Sequence, residues 1–561
     1  MTKIRSFAAS ILAGIAALTP ATTPVLAESE PTGLAASYLS AIHAQAVNDP
    51  EAAAFYLDEA LKIDPENRSM VFRAFLQKAQ SGDIEGALHY AESAYSDRPN
   101  LSLAPLLIAT THYGVGRFQE AATLIEGISG PNNIGLSLPL VRAWARAPIT
   151  DYSKALATLA PYEGRAEWRV LYAMMSGMMN EYYGRDEAAL VYYRALAETV
   201  NTQPLSVLRV VAEGLHRLGK SDEAVAAVAR FRERRNSIIW AAYLTKYEDP
   251  KQAPEAVTAQ MGMAEALYSI TRTRMATARR SFGAQISLIY AHLALHLNPD
   301  LNLLRREIAD AMSNWGQYDS ANDMLRSIKP DEPGYLVARL RLAENLERDD
   351  KTDEAIDLLE DLARRRPTLP EPLVSVGDIL RNRERFAEAV DVYDRAFERY
   401  PNGAPESWAM HYTRGIALER AQMWGRAEDD FKRALKLNPE EASVLNYLGY
   451  SWLDRGKNVT EAREMIELAL SKKPQDGYII DSLGWAMFLM GEYDNAVAQL
   501  ERAVAINPSD PTINEHLGDA YWKVGRKSEA RFQWRRALSM EPETDQAEDI
   551  REKMLRGLAQ N

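Results

Sequence analysis

Residues 477–508 read GYIIDSLGWAMFLMGEYDNAVAQLERAVAINP and contain the pattern that decides the fold. A Leu-Gly pair is followed by a second glycine seven residues later, then by an alanine and a proline. The two neighbouring segments repeat this pattern, with their Leu-Gly pairs 35 and 34 residues apart. A fixed period of this length indicates an array of small repeats rather than several unrelated domains. The repeated positions are Leu448-Gly449, Gly456, Ala469 and Pro474; Leu483-Gly484, Gly491, Ala503 and Pro508; Leu517-Gly518, Gly525, Ala537 and Pro542.

The spacing of these residues has a mechanical reason. Small side chains at Gly484 and Ala496 let two antiparallel helices cross closely. Gly491 turns the chain between the helices, and Pro508 ends the second helix because it has no backbone donor. One helix pair cannot bury its own apolar face, so neighbouring pairs must stack. This is the signature of the tetratricopeptide repeat, and it predicts an all-α solenoid, a right-handed superhelix of antiparallel helix pairs.

The same period extends through most of the chain, although the glycine, alanine and proline positions are less regular there. Residues 236–267 break it, with Pro250 and Pro254 inside the break, which indicates a degenerate repeat or a hinge. The charged, amphipathic tail from Thr544 is typical of a capping helix. We therefore predict a signal peptide at 1–27, N-terminal repeats at 28–235, a degenerate or hinge region at 236–301, C-terminal repeats at 302–544 and a capping helix with tail at 545–561.

The first 27 residues resemble a secretory signal peptide. Lys3 and Arg5 precede an apolar run over 7–18, and Val25-Leu26-Ala27 forms a small-residue cleavage site. The run is shorter than the ~20 residues that span a membrane, so no transmembrane segment is expected after cleavage. In a bacterium this predicts a periplasmic protein, without a lipid anchor and peripheral to the outer membrane at most, because the chain has no cysteine.

Composition and motifs argue against several chemistries. The absence of cysteine excludes disulfides, thiolate zinc sites and a cysteine nucleophile. A formal net charge of −13 argues against nucleic-acid binding. His292 and His296 have the i, i+4 spacing of a metal site, but with no third ligand nearby, packed or solvated histidines are the better interpretation. We predict no catalytic residue, metal or cofactor, and keep an enzyme with an unrecognised site as the least favoured alternative.

A basic segment near the C-terminus contrasts with the acidic whole. An acidic partner, peptidoglycan carboxylates or a lipid headgroup could bind it, and a solvated outer face is the simpler interpretation. Its residues are Lys523, Arg526, Lys527, Arg531, Arg535 and Arg536, interleaved with Trp522 and Trp534.

The first helix of each pair is expected to line the inner face of the array. In the last three repeats its inward positions combine large aromatics with carboxylates and an amide, which favours a recognition strip for an extended peptide or loop. The alternative is that Trp485 and Tyr450 fill contacts between adjacent first helices. The candidate partner-binding residues are Asn446, Tyr450, Tyr478, Asp481, Trp485, Phe488, Glu515, Asp519 and Trp522.

The sequence blocks NYLGY, DSLGW and HLGDAYW resemble a family of exported alphaproteobacterial tetratricopeptide-repeat proteins. They are similar to the C-terminal region of outer-membrane adaptors for periplasmic carboxyl-terminal processing proteases. The resemblance implies a non-enzymatic adaptor that recruits such a protease to cell-wall hydrolases, although this chain lacks the adaptors' lipidated cysteine. A structural scaffold of a polysaccharide-export or secretion assembly is the alternative function.

Overall fold

The computed structural model describes residues 33–97, 102–128, 138–233, 255–277, 282–400 and 407–558, together with Leu244 and Tyr247. The predicted signal peptide and most of the break around Pro250 and Pro254 lie outside these residues. The described part contains 29 α-helices and no strand, which confirms the predicted all-α class. It falls into two compact units, residues 33–351 and 352–558.

The N-terminal unit (residues 33–351) contains helices α1 to α17. They are α1 Leu34–Ala46, α2 Pro50–Ile63, α3 Arg68–Ser81, α4 Ile84–Asp97, α5 Leu103–Gly114, α6 Phe118–Gly127, α7 Leu138–Arg146, α8 Tyr152–Ala157, α9 Arg169–Tyr182, α10 Asp186–Ala197, α11 Leu205–Arg217, α12 Ser221–Arg232, α13 Ala259–Thr277, α14 Phe282–Leu297, α15 Asn302–Asn314, α16 Tyr318–Arg326 and α17 Tyr335–Arg348. Short 3₁₀ turns lie at Ala160–Tyr162, Ala166–Trp168 and Val200–Thr202.

The C-terminal unit (residues 352–558) contains helices α18 to α29. They are α18 Thr352–Arg365, α19 Glu371–Asn382, α20 Phe386–Glu398, α21 Trp408–Arg420, α22 Trp424–Leu437, α23 Ala442–Asp454, α24 Val459–Lys472, α25 Gly477–Leu489, α26 Tyr493–Ile506, α27 Pro511–Lys523, α28 Lys527–Leu538 and α29 Thr544–Arg556. Among the residues that the structure describes, no helix is both long and apolar enough to cross a membrane.

The pair α25 and α26 shows why the repeat needs its small residues. A Cβ atom added to Gly484 would lie 2.7 Å from Cγ of Leu500 on the opposite helix, so only glycine permits this approach. Ala496, on the same second helix as Leu500, is fully buried. Gly491 turns the chain with φ of 81°, in the left-handed region that glycine favours. These contacts confirm the predicted mechanical roles of Gly484, Ala496 and Gly491.

The N-terminal unit departs from a simple stack of pairs at α13 and α14. These helices have 19 and 16 residues and pack along each other. Helix α14 also packs on α3, α4 and α5, while α13 packs on α7 and α9. Because α3, α5, α7 and α9 are each the first helix of a pair, the hairpin α13/α14 covers the surface that these first helices form. We call the surface formed by the first helices of a unit its first-helix face.

Buried side chains fix the hairpin α13/α14 in place. A Cβ atom on Gly262 would lie 2.2 Å from the indole ring of Trp144, so α13 packs against α7 too closely for a larger side chain at this position. Glu265 of α13 is only 2% exposed and forms an ion pair with Arg209 of α11. Burial alone would lower the pKa of Arg209, but Glu265 and Glu213 outweigh it and raise the pKa. The hairpin is therefore an integral, charge-paired part of the N-terminal unit.

Candidate partner-binding site

The nine residues predicted as a recognition strip lie on three successive first helices of the C-terminal unit, α23, α25 and α27. Helix α25 packs against both α23 and α27. Five of the nine side chains are buried: Asn446, Tyr450, Asp481, Glu515 and Asp519. The other four are half-buried: Tyr478, Trp485, Phe488 and Trp522.

Asp481 is committed to an interaction with the neighbouring first helix. Its side chain is 0% exposed, and both carboxylate oxygens lie 3.0 Å from Nδ1 of His516 on α27. Burial alone would lower the pKa of His516, but the charge and hydrogen bonds of Asp481 outweigh it and raise the pKa. The pair therefore links α25 to α27 as a buried, charge-assisted contact.

The terminal helix α29 binds the carboxylates of α27. Lys553 donates hydrogen bonds to Glu515 and, at 2.9 Å, to Asp519 Oδ2, while Gln546 Nε2 donates to Glu515 Oε2 at 2.7 Å. Asp519, Glu515 and Asp549 raise the pKa of Lys553 despite its burial. Lys553 follows Asp519 by 34 residues, one repeat period, so α29 takes the place of a further first helix. This is the packing expected of a capping helix.

The solvent-accessible part of the strip is aromatic and apolar. The Trp485 indole stacks on Phe488, with centroids 4.8 Å apart and planes 8° apart, and on His516 at 4.1 Å and 13°. Leu489 and Met490, at the end of α25, are 45% and 40% exposed. We call Trp485, Phe488, Leu489 and Met490 the apolar patch. Sequence reasoning missed Leu489 and Met490, although the unbroken apolar run before Gly491 is longer than one buried face requires.

Trp522 belongs to a different environment from Trp485. Its ring centroid lies 5.3 Å from that of Trp534, and Lys527 Nζ lies 3.8 Å from the Trp522 centroid. A Cβ atom on Gly557 would collide with the outer edge of the indole, 1.9 Å away. Trp522 is thus packed among the basic segment and the end of the chain.

Contacts within the C-terminal unit explain part of the strip without a partner. Tyr450 is 8% exposed and Asp481 is fully buried between first helices, as the packing alternative expects. Trp485 combines packing against His516 with partial exposure. A binding role for the nine residues stays a prediction. Trp485 and Phe488 are the two of the nine that belong to the apolar patch, so they are the best placed to contact a partner.

A buried carboxyl group that sequence reasoning missed lies on α21. Glu419 is 3% exposed, and its oxygens lie 3.4 Å from Tyr447 Oη, which donates, and 3.5 Å from a guanidinium nitrogen of Arg455. Burial raises the pKa of Glu419 to about 7, although Arg455 and Arg420 oppose the shift. Only the packing of α21 against α23 makes this acid unusual.

The histidine pair on α14 lies where the hairpin meets the first-helix face. His292 is 6% exposed, and its Nδ1 would lie 2.7 Å from a Cβ atom on Gly82. Burial lowers the pKa of His292 to about 4 and also lowers that of His296. Across the described ranges, no group of three His, Asp or Glu side chains is arranged to hold a metal ion.

A pocket of about 220 Å³ lies in the N-terminal unit. Amide side chains dominate its polar lining, with one guanidinium group and one indole. Its walls offer hydrogen bonds but no acid, thiol or hydroxyl nucleophile. The lining residues are Gln45, Asn48, Pro50, Arg73, Leu76, Gln77, Gln80, Leu288, Trp315 and Gln317.

Comparison with known families agrees with the helix-pair geometry. A family model described as tetratricopeptide repeat matches residues 340–404, 377–428 and 412–477. A second model, described as TPR repeat, matches residues 484–525. Together with the helix pairs, these matches show tetratricopeptide repeats over residues 340–477 and 484–525.

Curated relatives match this chain over only part of their length. A TPR repeat-containing protein of Pseudomonas aeruginosa is 28% identical over 199 residues, 35% of this chain and 31% of the relative. The probable UDP-N-acetylglucosamine–peptide N-acetylglucosaminyltransferase SPINDLY of Petunia hybrida is 32% identical over 18% of this chain and 10% of its own length. The human protein O-mannosyl-transferase TMTC1 is 26% identical over 30% and 19%. The chain thus spans less than a third of the length of these relatives.

Solved structures give matches at low identity. The crystal structure of the APC/C hetero-tetramer Cut9-Hcn1 covers 94% of this chain and 97% of that chain, with 14% identity and a TM-score of 0.39. A tetratricopeptide repeat protein from Parabacteroides merdae covers 45% and 97%, with 19% identity and a TM-score of 0.36.

Proposed function

We propose that the chain is a non-enzymatic scaffold that binds protein partners at the apolar patch of the C-terminal unit. Tetratricopeptide repeats generally mediate protein–protein interaction. The observation that carries the proposal is the apolar patch itself, where two stacked aromatic residues are followed along the chain by two side chains that are 40% or more exposed. Contiguous exposed apolar groups on a folded protein are typical of an interaction site.

The support beneath the patch favours binding with little loss of entropy. Trp485 is stacked between Phe488 and His516, and Asp481 holds His516 in place. Aromatic anchors that are already ordered contribute contact area without the cost of ordering flexible side chains. The patch therefore presents a preformed surface to a partner.

The proposed partner rests on the resemblance, and the proposed location rests on the predicted signal peptide at 1–27. We propose that the mature chain acts in the periplasm and recruits a processing protease to cell-wall hydrolases. The alternative is a scaffold in a polysaccharide-export or secretion assembly. The transferase activities in the names of two relatives are not carried over, because the shared segments cover only 10% and 19% of those proteins.

Affinity capture from bacterial envelope extracts tests the proposal. The double variant Leu489→Ser/Met490→Ser should lower recovery of the bound partner by at least roughly ten-fold, because it removes two exposed apolar contacts. Ile506→Ser is the matched control, since Ile506 is also 40% exposed but lies at the end of the second helix α26. Equal capture by wild type and the double variant would overturn the patch as the binding surface.

The identity of the captured proteins and the mature N-terminus test the finer parts. Mass spectrometry should find a carboxyl-terminal processing protease or a wall hydrolase in the wild-type eluate. Patch-dependent recovery of export or secretion components instead would favour the alternative scaffold. Intact mass of the exported protein should correspond to a chain that begins at Glu28, and an uncleaved cytoplasmic chain would overturn the periplasmic location.

A further inference from the structure

Several cations at the end of the C-terminal unit have no carboxylate partner among the described residues. Four of them are Lys523 on α27 and Lys527, Arg531 and Arg535 on α28, and we call these four the unpaired cations. Arg536 also has no carboxylate partner, but it donates to the backbone oxygen of Pro508 at 2.8 Å. Their neighbour Arg526 differs, since it is bound by Glu529 and, at 2.9 Å, by Glu501. In a chain with a net charge of −13, carboxylates are abundant, so a cluster left without them is exceptional.

Two of the unpaired cations lie near one aromatic ring, and a third lies near another. Lys527 Nζ lies 3.8 Å and the guanidinium carbon of Arg531 lies 5.1 Å from the centroid of Trp522. Lys523 Nζ lies 5.9 Å from the centroid of Tyr493. Burial and the positive charges of Lys523 and Arg531 lower the pKa of Lys527. Mutual repulsion of this kind is relieved when an anion approaches.

A large apolar side chain lies among these charges. Phe532 is 58% exposed, while Ala530 and Trp534 on the same helix are fully buried. At 100° per residue, Arg531, Phe532 and Arg535 fall within roughly 100° of the helix circumference. The outer arc of α28 therefore combines cations with an apolar side chain at one edge of the arc.

We propose that this outer arc of α28 binds an anionic lipid surface. Phe532 enters the headgroup region, and the unpaired cations pair with lipid phosphates. Basic residues next to an anionic bilayer are attracted to its phosphates, and an amphipathic helix adds the burial of its apolar side chain. An acidic peptide fits less well, because the exposed arc of an outer helix is convex and provides no walls for a peptide.

Vesicle co-sedimentation of the full mature chain tests this proposal. Binding to vesicles of phosphatidylglycerol mixed with phosphatidylcholine should exceed binding to pure phosphatidylcholine and should weaken as salt rises. Arg531→Gln/Arg535→Gln should lower the partition coefficient by roughly 10- to 30-fold. Phe532→Ser should lower it by roughly 10-fold. The control Arg526→Gln should bind like the wild type, because Arg526 is already neutralised by Glu501 and Glu529.

Three outcomes would overturn the lipid proposal. One is equal binding to neutral and anionic vesicles. Another is an Arg526→Gln variant as weak as Arg531→Gln/Arg535→Gln. The third is binding of poly-glutamate at concentrations where vesicles do not bind, which would assign the unpaired cations to an acidic protein partner. Far-ultraviolet circular dichroism of each variant should match the wild type, so that lost binding reports the surface and not unfolding.

Discussion

The first-helix face is used differently in the two units. In the N-terminal unit the first helices α3, α5, α7 and α9 pack against the hairpin α13/α14 of the same chain. In the C-terminal unit the first helices α23, α25 and α27 contact one another, and the terminal helix α29 binds α27. The difference shows that a repeat array does not by itself create a binding groove.

What remains exposed follows from this difference. In the N-terminal unit, hairpin residues such as Glu265 are buried against the first-helix face and form ion pairs with it. In the C-terminal unit, buried pairs such as Asp481–His516 hold the helices together and leave the apolar patch accessible.

The largest effect is expected from Glu265→Ala, which removes the hairpin's buried anion. Among the described residues, Arg209 would keep Glu213 as its one carboxylate partner and would lose the more deeply buried one, so the free energy of unfolding should fall by about 4 kcal/mol. Urea unfolding followed by circular dichroism measures it. The control Glu198→Ala removes a 72% exposed carboxylate paired with Arg230 and should cost less than about 0.5 kcal/mol. If the free energy of unfolding falls by a similarly small amount in both variants, Glu265 does not hold the hairpin α13/α14 on the first-helix face.

Lys553→Met tests the attachment of α29 in the C-terminal unit. Glu515 and Asp519 would lose their shared buried cation, so the free energy of unfolding at pH 7 should fall by about 3 kcal/mol. Burial already raises the pKa of Glu515, so acidification to pH 5 favours its neutral form and should shrink the loss. Thermal unfolding at the two pH values measures this. Lys472→Met, which removes a surface pair with Glu440, is the control, and an equal loss there would argue against a special role for Lys553.

Glu419→Gln tests whether the buried acid on α21 makes the free energy of unfolding depend on pH. The pKa of Glu419 is raised to about 7 by burial, so the folded state binds its proton more tightly than the unfolded state. Its contribution to stability is complete below the ordinary pKa of 4.5 and is lost as pH rises through 7. Glutamine should therefore raise the free energy of unfolding by about 2 kcal/mol at pH 8, with little change near pH 5.

Chemical unfolding of the Glu419→Gln variant at several pH values measures that slope. Glu461→Gln, at an exposed position on α24, should leave the pH profile unchanged. If the wild-type profile and the Glu419→Gln profile run parallel between pH 5 and 8, Glu419 does not titrate in this range.

The smallest effect on stability is expected from Leu489→Ser. Leu489 is 45% exposed, so its replacement should change the free energy of unfolding by less than about 0.5 kcal/mol. Met487→Ser on the same helix, at a 9% exposed position, should cost more than about 2 kcal/mol. Denaturant titrations of the pair measure this contrast. A large loss for Leu489→Ser would mean that the apolar patch is structural, which would weaken the proposed binding role.

Much of the fold was predictable because the repeat signal is local. Gly484, Ala496 and Gly491 act at one helix crossing and one turn, so their spacing along the chain suffices to predict them. The strip was predictable only in outline. The spacing placed Asp481 and Glu515 on first helices, but their partners His516 and Lys553 lie 35 and 38 residues away. No local pattern distinguishes a carboxylate that awaits a partner from one that has an internal cation.

The helix-pair period, the small residues at the crossings and the absence of cysteine chemistry all follow from the sequence alone. Those properties depend on residue type and short-range spacing, which the chain carries directly. Tertiary structure alone decided that the hairpin α13/α14 covers the N-terminal first-helix face and that Lys553 closes the last repeat. It also decided that Arg526 is neutralised while Arg531 is not. These outcomes depend on which distant side chains meet in a dry interior, where burial and pairing set the energy of each charge.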